Sequence, residues 1–573
     1  MRLRYKGPVT PFSPTNKAMK QRFGRAFRQS GAPLAFAVFI IACFCSLYLA
    51  APAHAGDPPS PPEQEPGTKG DRSDDAQNEE GTSGKGEGAA EDSKEAPKGS
   101  EPTPSARKLL EEAGSIADTV SRIRGLAPTD GIEKGVKTRE ELRKILVEKL
   151  AEEQSQKEMR QEAAVYRRLG LIPKALDYRK MILDVLTEQI AGFYDQKTGS
   201  LNIMVGIPLD LQRPAMAHEI FHAIQDQQFD LTEMLEPFSA RENGDFQLAR
   251  SALIEGDATV LMIDFSLYEA GTLPKKDVRS IVDIPMMANM LKKLDYEQLG
   301  ALEKLNKDSD APQGDQINTP TELFDSALSK APTIVRRVLI FPYLAGMRFV
   351  IALRSGRSWE EFDEVYERPP VSTEQILHPQ KYADRDEPVI LSYEPAPVLD
   401  GYAPIYDTVL GEFQMRLFLE HHLSKEPEAD GARSVDVKAA AGGWDGDRLL
   451  AYENDDGDVL TSHVSVWDTS RDAIEYYKGL EEVTGRRYPE ARTHVASGKH
   501  GSSVCFHVEA DGNGERVYLE RWGDAVVHIE GSPSALDKEG HETNPTTYML
   551  REQIWETLER RPFREVYEER LAE

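Results

Sequence analysis

The run His218-Glu219-Ile220-Phe221-His222, set in a stretch that reads as a helix from Pro214 to about Phe229, restricts this chain more than any other feature. Residues four apart share one helical face, so both imidazoles can reach a single cation while Glu219 projects beside them toward a water on that cation. With 12 His among 573 residues and Glu at roughly 9%, about 0.02 such matches are expected by chance in a chain this long. A helix with this face cannot stand alone. A catalytic zinc site takes three protein ligands and keeps one position for water, so another element must return against it with a third donor.

The next long helical pattern, about 243–269, carries Ile254-Glu255-Gly256-Asp257-Ala258. Glu255 comes 33 residues after His222, which leaves room for a turn and an antiparallel return. A carboxylate amid Leu, Ile, Val and Met needs a partner, and metal ligation supplies one. Gly256 and Ala258 are small and are expected to let this helix approach the histidine helix closely. Asp257 is expected as an outer acceptor that orients a ligand imidazole. Asp226, four residues after His222, is a second outer candidate or a rival third ligand.

The surrounding chain divides by composition. Residues 1–32 hold eight Lys and Arg and no acid, an apolar run follows from Leu34 to Ala51, and Ala53-His54-Ala55 has the small-x-small form of a cleavage site. Residues 1–55 therefore read as a signal peptide or an N-terminal membrane anchor, with Cys43 in a lipobox-like setting. Each version exports the body of the protein, to the periplasm or the medium, and the last two attach it to a membrane. Residues 56–106 are acidic and rich in Pro, Gly and Ser, a composition expected to stay disordered. The excess of 97 Asp+Glu over 69 Lys+Arg, a net charge of −28, argues against a nucleic-acid partner. Cys505 is the single cysteine after the N-terminal segment, which excludes an intramolecular disulfide in the body, and it is expected as a small core residue.

The folded part reads as α+β. Residues 107–395 form a mostly helical domain with a small sheet: a strand at about 131–137, a helix at 139–168 opened by Thr138 and Glu141, a helix at 174–191, a hairpin over 192–205, and later helices to about 356. Residues 396–435 are expected as a helical connector. Residues 436–573 are expected as a smaller α+β domain of unknown role, with strands near 447–452, 459–467, 503–509, 516–522 and 525–530 and a last helix opened by Asn544-Pro545. Its aromatics Tyr452, Trp467, Tyr476, Tyr477, Tyr518 and Trp522 fit a core, and His421, His422, His463, His507 and His528 form no second site. The polar stretch 304–319 reads as a lid or a loop.

HExxH followed by a downstream EGxA helix resembles the gluzincin metallopeptidases, and HEIFHAIQDQ, EGDA, FPYLAG and STEQILHP resemble blocks of exported bacterial members over about 107–390. The resemblance implies a zincin-like domain with Zn2+ held by His218, His222 and Glu255, Glu219 as general base, and a peptide or protein substrate. It also implies that the strand near Leu201 to Val205 is the cleft's edge strand, to which a peptide adds. A tetrahedral oxyanion needs a donor besides the metal, for which Tyr343, His378 and Tyr194 are candidates. The competing expectations are a zinc-binding envelope scaffold without turnover and a small-molecule hydrolase.

Overall fold

The computed structural model describes residues 104–153, 155–189, 192–196, 198–204, 209–273, 280–294, 296, 327–395, 399–423, 435–498, 501–510, 513–534 and 544–572. The expected export segment, the spacer up to residue 103 and the stretch 304–319 lie outside the described residues. Among the described residues no single helix is long and apolar enough to cross a membrane.

In chain order the first half comprises α1 (Pro104–Arg124), β1 (Glu133–Lys137), α2 (Arg139–Glu153), α3 (Gln156–Arg168), α4 (Tyr178–Gln189), β2 (Gly192–Asp195), β3 (Ser200–Met204), α5 (Leu209–Phe229), α6 (Leu231–Leu235) and α7 (Gly244–Glu269). It continues with α8 (Pro285–Lys293), α9 (Ala327–Lys330), α10 (Thr333–Arg354), α11 (Trp359–Glu367), α12 (Thr373–Leu377), α13 (Pro379–Asp384) and β4 (Val389–Ser392). The rest is β5 (Tyr402–Thr408), α14 (Gly411–Leu423), α15 (Val437–Ala441), β6 (Trp444–Asn454), β7 (Val459–Trp467), α16 (Ser470–Arg487), β8 (Arg492–Gly498), β9 (Gly501–Ala510), β10 (Asn513–Trp522), β11 (Ala525–Ser534), α17 (Thr546–Thr557), β12 (Glu559–Pro562) and α18 (Phe563–Ala572). The protein is thus mixed α+β with several sheets.

Local chemistry sets most boundaries. Thr138 and Glu141 exchange the two bonds of a capping box at the start of α2. The single helix expected over 139–168 is two, because Ser155 and Glu158 form a second capping box that starts α3. The histidine helix starts at Leu209 rather than at Pro214, which sits inside it. Pro214 is the sixth residue of that helix and has no N–H to give to the carbonyl of Asp210, so the ladder lacks one bond there.

The small sheet has the order β1-β3-β2, with β1 parallel and β2 antiparallel to β3. The strand expected as the cleft edge, Leu201 to Val205, corresponds to β3 and is central; β1 and β2 are the edges. The large sheet has seven strands in the order β5-β6-β7-β11-β10-β9-β8, antiparallel throughout. The segment expected as a helical connector therefore contributes an edge strand, β5, as well as α14. Neither β5 nor β8 shows in the hydrophobic pattern, since one contains Pro404 and the other is exposed along Arg492 to Val495.

Residues on this sheet alternate between two cores. Leu449, Ala451, Val504, Phe506, Val517 and Leu519 face α16 and join the core that runs on into the helical half. Leu450, Tyr452, Cys505, Tyr518, Val527 and Ile529 face α17. Of the aromatics expected in this core, Trp522 is half exposed, and it meets Trp555 edge to face. The chain end returns to the first half: β12 pairs with β4, and Phe563 of α18 packs with Phe238, Phe246 and Val371.

The centre of the helical half is the crossing of α7 and α10. A Cβ on Gly256 would lie 2.2 Å from the Gly346 carbonyl carbon, and one on Gly346 would lie 1.9 Å from the Ala252 oxygen. Gly256 thus serves contact with α10, not with the histidine helix; Ala258 is the small residue that clusters with Met216, Ala217, Ile220 and Phe221 of α5. Two backbones in contact leave no room for relaxation. Gly346→Ala is expected to lower unfolding free energy by about 1–3 kcal/mol or more, read as a lower urea midpoint.

Candidate metal centre

The histidine helix is buried continuously from Ala215 to Gln225. Its apolar side chains Met216, Ala217, Ile220, Phe221 and Ile224 meet Ile116, Val120 and Ile123 of α1, Leu201 and Ile203 of β3, and Ala258, Leu261 and Phe265 of α7. This packing leaves His218 and His222 turned toward Glu255. Their Nε2 atoms lie 2.9 Å apart, and Glu255 Oε2 is 3.0 Å from the first and 3.3 Å from the second. Among the described residues, these three side chains are the group that converges tightly enough to hold one metal ion. Their exposures are 0%, 2% and 1%, so bulk water does not screen them.

The donor set fits zinc. A tetrahedral ion with bonds of about 2.0–2.2 Å to nitrogen and oxygen spaces its ligands by about 3.3–3.5 Å, close to the separations found. Without an ion the same atoms need a shared proton. Burial alone would lower the His222 pKa, yet the adjoining Glu255 outweighs it and raises it to about 9. Burial likewise favours the neutral Glu255, but His222 and His218 hold it down at about 2. A divalent cation bound between them would take the place of that proton.

Glu219 is 1% exposed and accepts the backbone N–H of Tyr194 at 2.9 Å. Edge strand β2 therefore meets the histidine helix at the carboxylate beside the ligands. The Tyr194 hydroxyl donates to Asp226 at 3.0 Å, and Asp226 also accepts the Leu231 N–H, so Asp226 is neither the third ligand nor a partner of a ligand imidazole. Tyr343 donates its hydroxyl to Glu255 Oε1 at 3.0 Å. It shares a helical face with Gly346, three residues on, so the close crossing of α7 and α10 is what delivers this bond.

His378 belongs to a different place. It pairs with Glu412 of α14 at 2.9 Å, and α12, which precedes it, bonds through the Thr373 N–H to Asp245. Asp245 lies ten residues before Glu255 on α7, about 15 Å along the helix axis. The STEQILHP motif thus anchors the start of α7 and contributes nothing to the metal group. Sequence alone could not show this, because a histidine before a proline looks the same in either role.

Asp257 bonds neither imidazole directly and is joined to His222 only through Tyr366 and Gln225. It accepts Arg124 at 3.0–3.2 Å and the Tyr366 hydroxyl at 2.8 Å, and Arg124 also meets Asp363. Burial works against the Arg124 charge, but Asp257 and Asp363 outweigh it and keep the guanidinium protonated. The direct partner of His222 is Gln225, whose Oε1 is 2.8 Å from Nδ1. Its position three residues after His222 was the available signal; Tyr366 and Arg124, remote in sequence, gave none. Cys505 is free and buried, and burial pushes its thiol up to about 11, which suits packing and not nucleophilic chemistry.

A family model described as a domain of unknown function (DUF8575) matches residues 401–540. That range spans β5 to β11 and contains none of the three candidate ligands. No curated protein and no solved structure matches the chain. The geometry makes a discriminating prediction. Glu255→Ala should weaken zinc binding beyond the about 10–100-fold typical of a lost outer partner, whereas Asp226→Asn and His378→Ala should leave it at the wild-type value in a chelator competition.

Proposed function

We propose that the protein is a zinc-dependent metallopeptidase of gluzincin type, with a zincin-like helical half, His218, His222 and Glu255 as ligands, and Glu219 as general base. The observation that carries this reading is the convergence of the three donors within 3.3 Å of one another, with Glu219 on the same helix and tied to an edge strand. Bound there, zinc supplies Lewis acidity and lowers the pKa of a water toward ~7.

The chain's own residues do the rest. Glu219 takes the proton of the attacking water and passes it to the leaving amine. Its burial keeps the carboxylate out of competition with solvent, and the Tyr194 N–H fixes where it points. Tyr343 holds the second oxygen of Glu255, which directs the first at the ion. The Tyr194 N–H is taken by Glu219, so β2 serves here to hold the general base rather than to pair with substrate at that residue. The same reading takes the protein as exported, on the strength of the basic stretch and apolar run at its N-terminus.

Burial favours a second reading, a zinc-holding scaffold without turnover, since structural sites are closed where catalytic ones keep an open position. Glu219 separates the two. Glu219→Gln should retain about one zinc per chain and lose about 10²–10⁴-fold in hydrolysis of a peptide library. Equal turnover in that variant removes the general-base role, and a wild-type chain that binds zinc and cleaves no peptide favours the scaffold.

A further inference from the structure

Gln225 makes three hydrogen bonds whose directions are fixed from their far ends. Its side-chain nitrogen lies 3.1 Å from the Ile254 carbonyl oxygen, which can only accept. The amide must therefore turn its NH2 toward α7 and its oxygen toward His222 Nδ1, 2.8 Å away. An amide oxygen has no proton to give, so Nδ1 carries the hydrogen. In a neutral imidazole that leaves the lone pair on Nε2, the atom that faces Glu255.

The second amide hydrogen meets the Tyr366 hydroxyl at 2.7 Å, and that hydroxyl gives its own proton to Asp257 at 2.8 Å. Asp257 in turn accepts from Arg124, which can only donate. Arg124, Asp257 and Gln225 are each 0% exposed and Tyr366 is 7% exposed, so the network is shielded from bulk solvent. Reversing the amide would set its oxygen against the Ile254 carbonyl. Ile254 also precedes Glu255, so one side chain ties an imidazole ligand to the backbone of the carboxylate ligand. Among the described residues, His218 Nδ1 has no such hydrogen-bond partner.

We infer that Gln225 is a positioning residue that sets the ring tautomer of His222 and presents Nε2 to the ion, and that Tyr366 acts through Gln225 by fixing its amide. This inference rests on the metal reading of His218, His222 and Glu255 and extends it to residues that touch neither ion nor substrate.

The test uses the full chain and zinc alone, with affinity measured against a chromophoric chelator and the site geometry by the visible spectrum of the cobalt(II) form. Gln225→Met should weaken zinc about 10–100-fold and alter the cobalt bands. Tyr366→Phe should weaken it about 2–10-fold, as for the loss of one neutral hydrogen bond. The double variant should be no weaker than Gln225→Met alone, because Tyr366 works only through Gln225. A purely packing role for Tyr366 gives additive losses instead, and overturns its part of the inference. Wild-type affinity and spectrum in Gln225→Met overturn the whole. Should that variant fail to fold, Tyr366→Phe, which removes one oxygen, decides: unchanged affinity and bands overturn the inference. Absence of zinc uptake by the wild-type chain is distinct from all of these, and sinks the metal reading and the inference with it.

Discussion

A carboxylate buried to 1% exposure inside an apolar helix is costly unless charge and hydrogen bonds surround it, and Glu255 is such a group. Three side chains from two other helices meet it: His218 and His222 from α5, and Tyr343 from α10. Each arrives along a helix that has its own reasons to be there. The histidine helix is fixed by apolar contacts with α1, β3 and α7, and α10 by backbone contact at Gly256 and Gly346. The carboxylate is thus the point at which the packing of the helical half is tested, because a shift of either neighbour strips it of partners.

The same helix α7 carries a second buried acid two residues on. Asp257 points to the other side, where Arg124 and the Tyr366 hydroxyl compensate it and Arg124 also pairs with Asp363. Glu255 and Asp257 flank Gly256, so the short motif Glu-Gly-Asp combines a candidate ligand, a helix contact and a charge anchor. Gln225 closes the loop by joining the Asp257 network to His222 and to the Ile254 carbonyl. The three candidate ligands and the buried Arg124–Asp257 pair are thereby joined by one chain of hydrogen bonds.

The seven-stranded sheet stands apart from this chemistry and shares the core with it. One face continues the hydrophobic interior of the helical half, and the chain end comes back through β12 and α18 to cover Phe238 and Phe246. The matched domain of unknown function falls on this sheet. It meets the first half directly through α3, where Arg160 pairs with Glu453 and Arg168 with Glu515, and through α14 and α12, where the Phe413 N–H bonds Thr373 and Thr373 bonds Asp245 at the start of α7. The sheet thereby supports the helix that bears Glu255.

Local pattern determined a good deal by itself. The spacing of His218 and His222 follows from 3.6 residues per turn, the cap at Thr138 is read from adjacent residues, and an acid in the run from Leu253 to Phe265 announces that it needs a partner. Tertiary structure alone decided the partners. Whether Gly256 faces α5 or α10, whether Tyr343 or His378 reaches the site, and whether β2 or β3 is the edge strand depend on which surfaces meet across large sequence separations. Periodicity carries no record of that choice: it says which face of an element is buried, and the packing of the whole chain says against what.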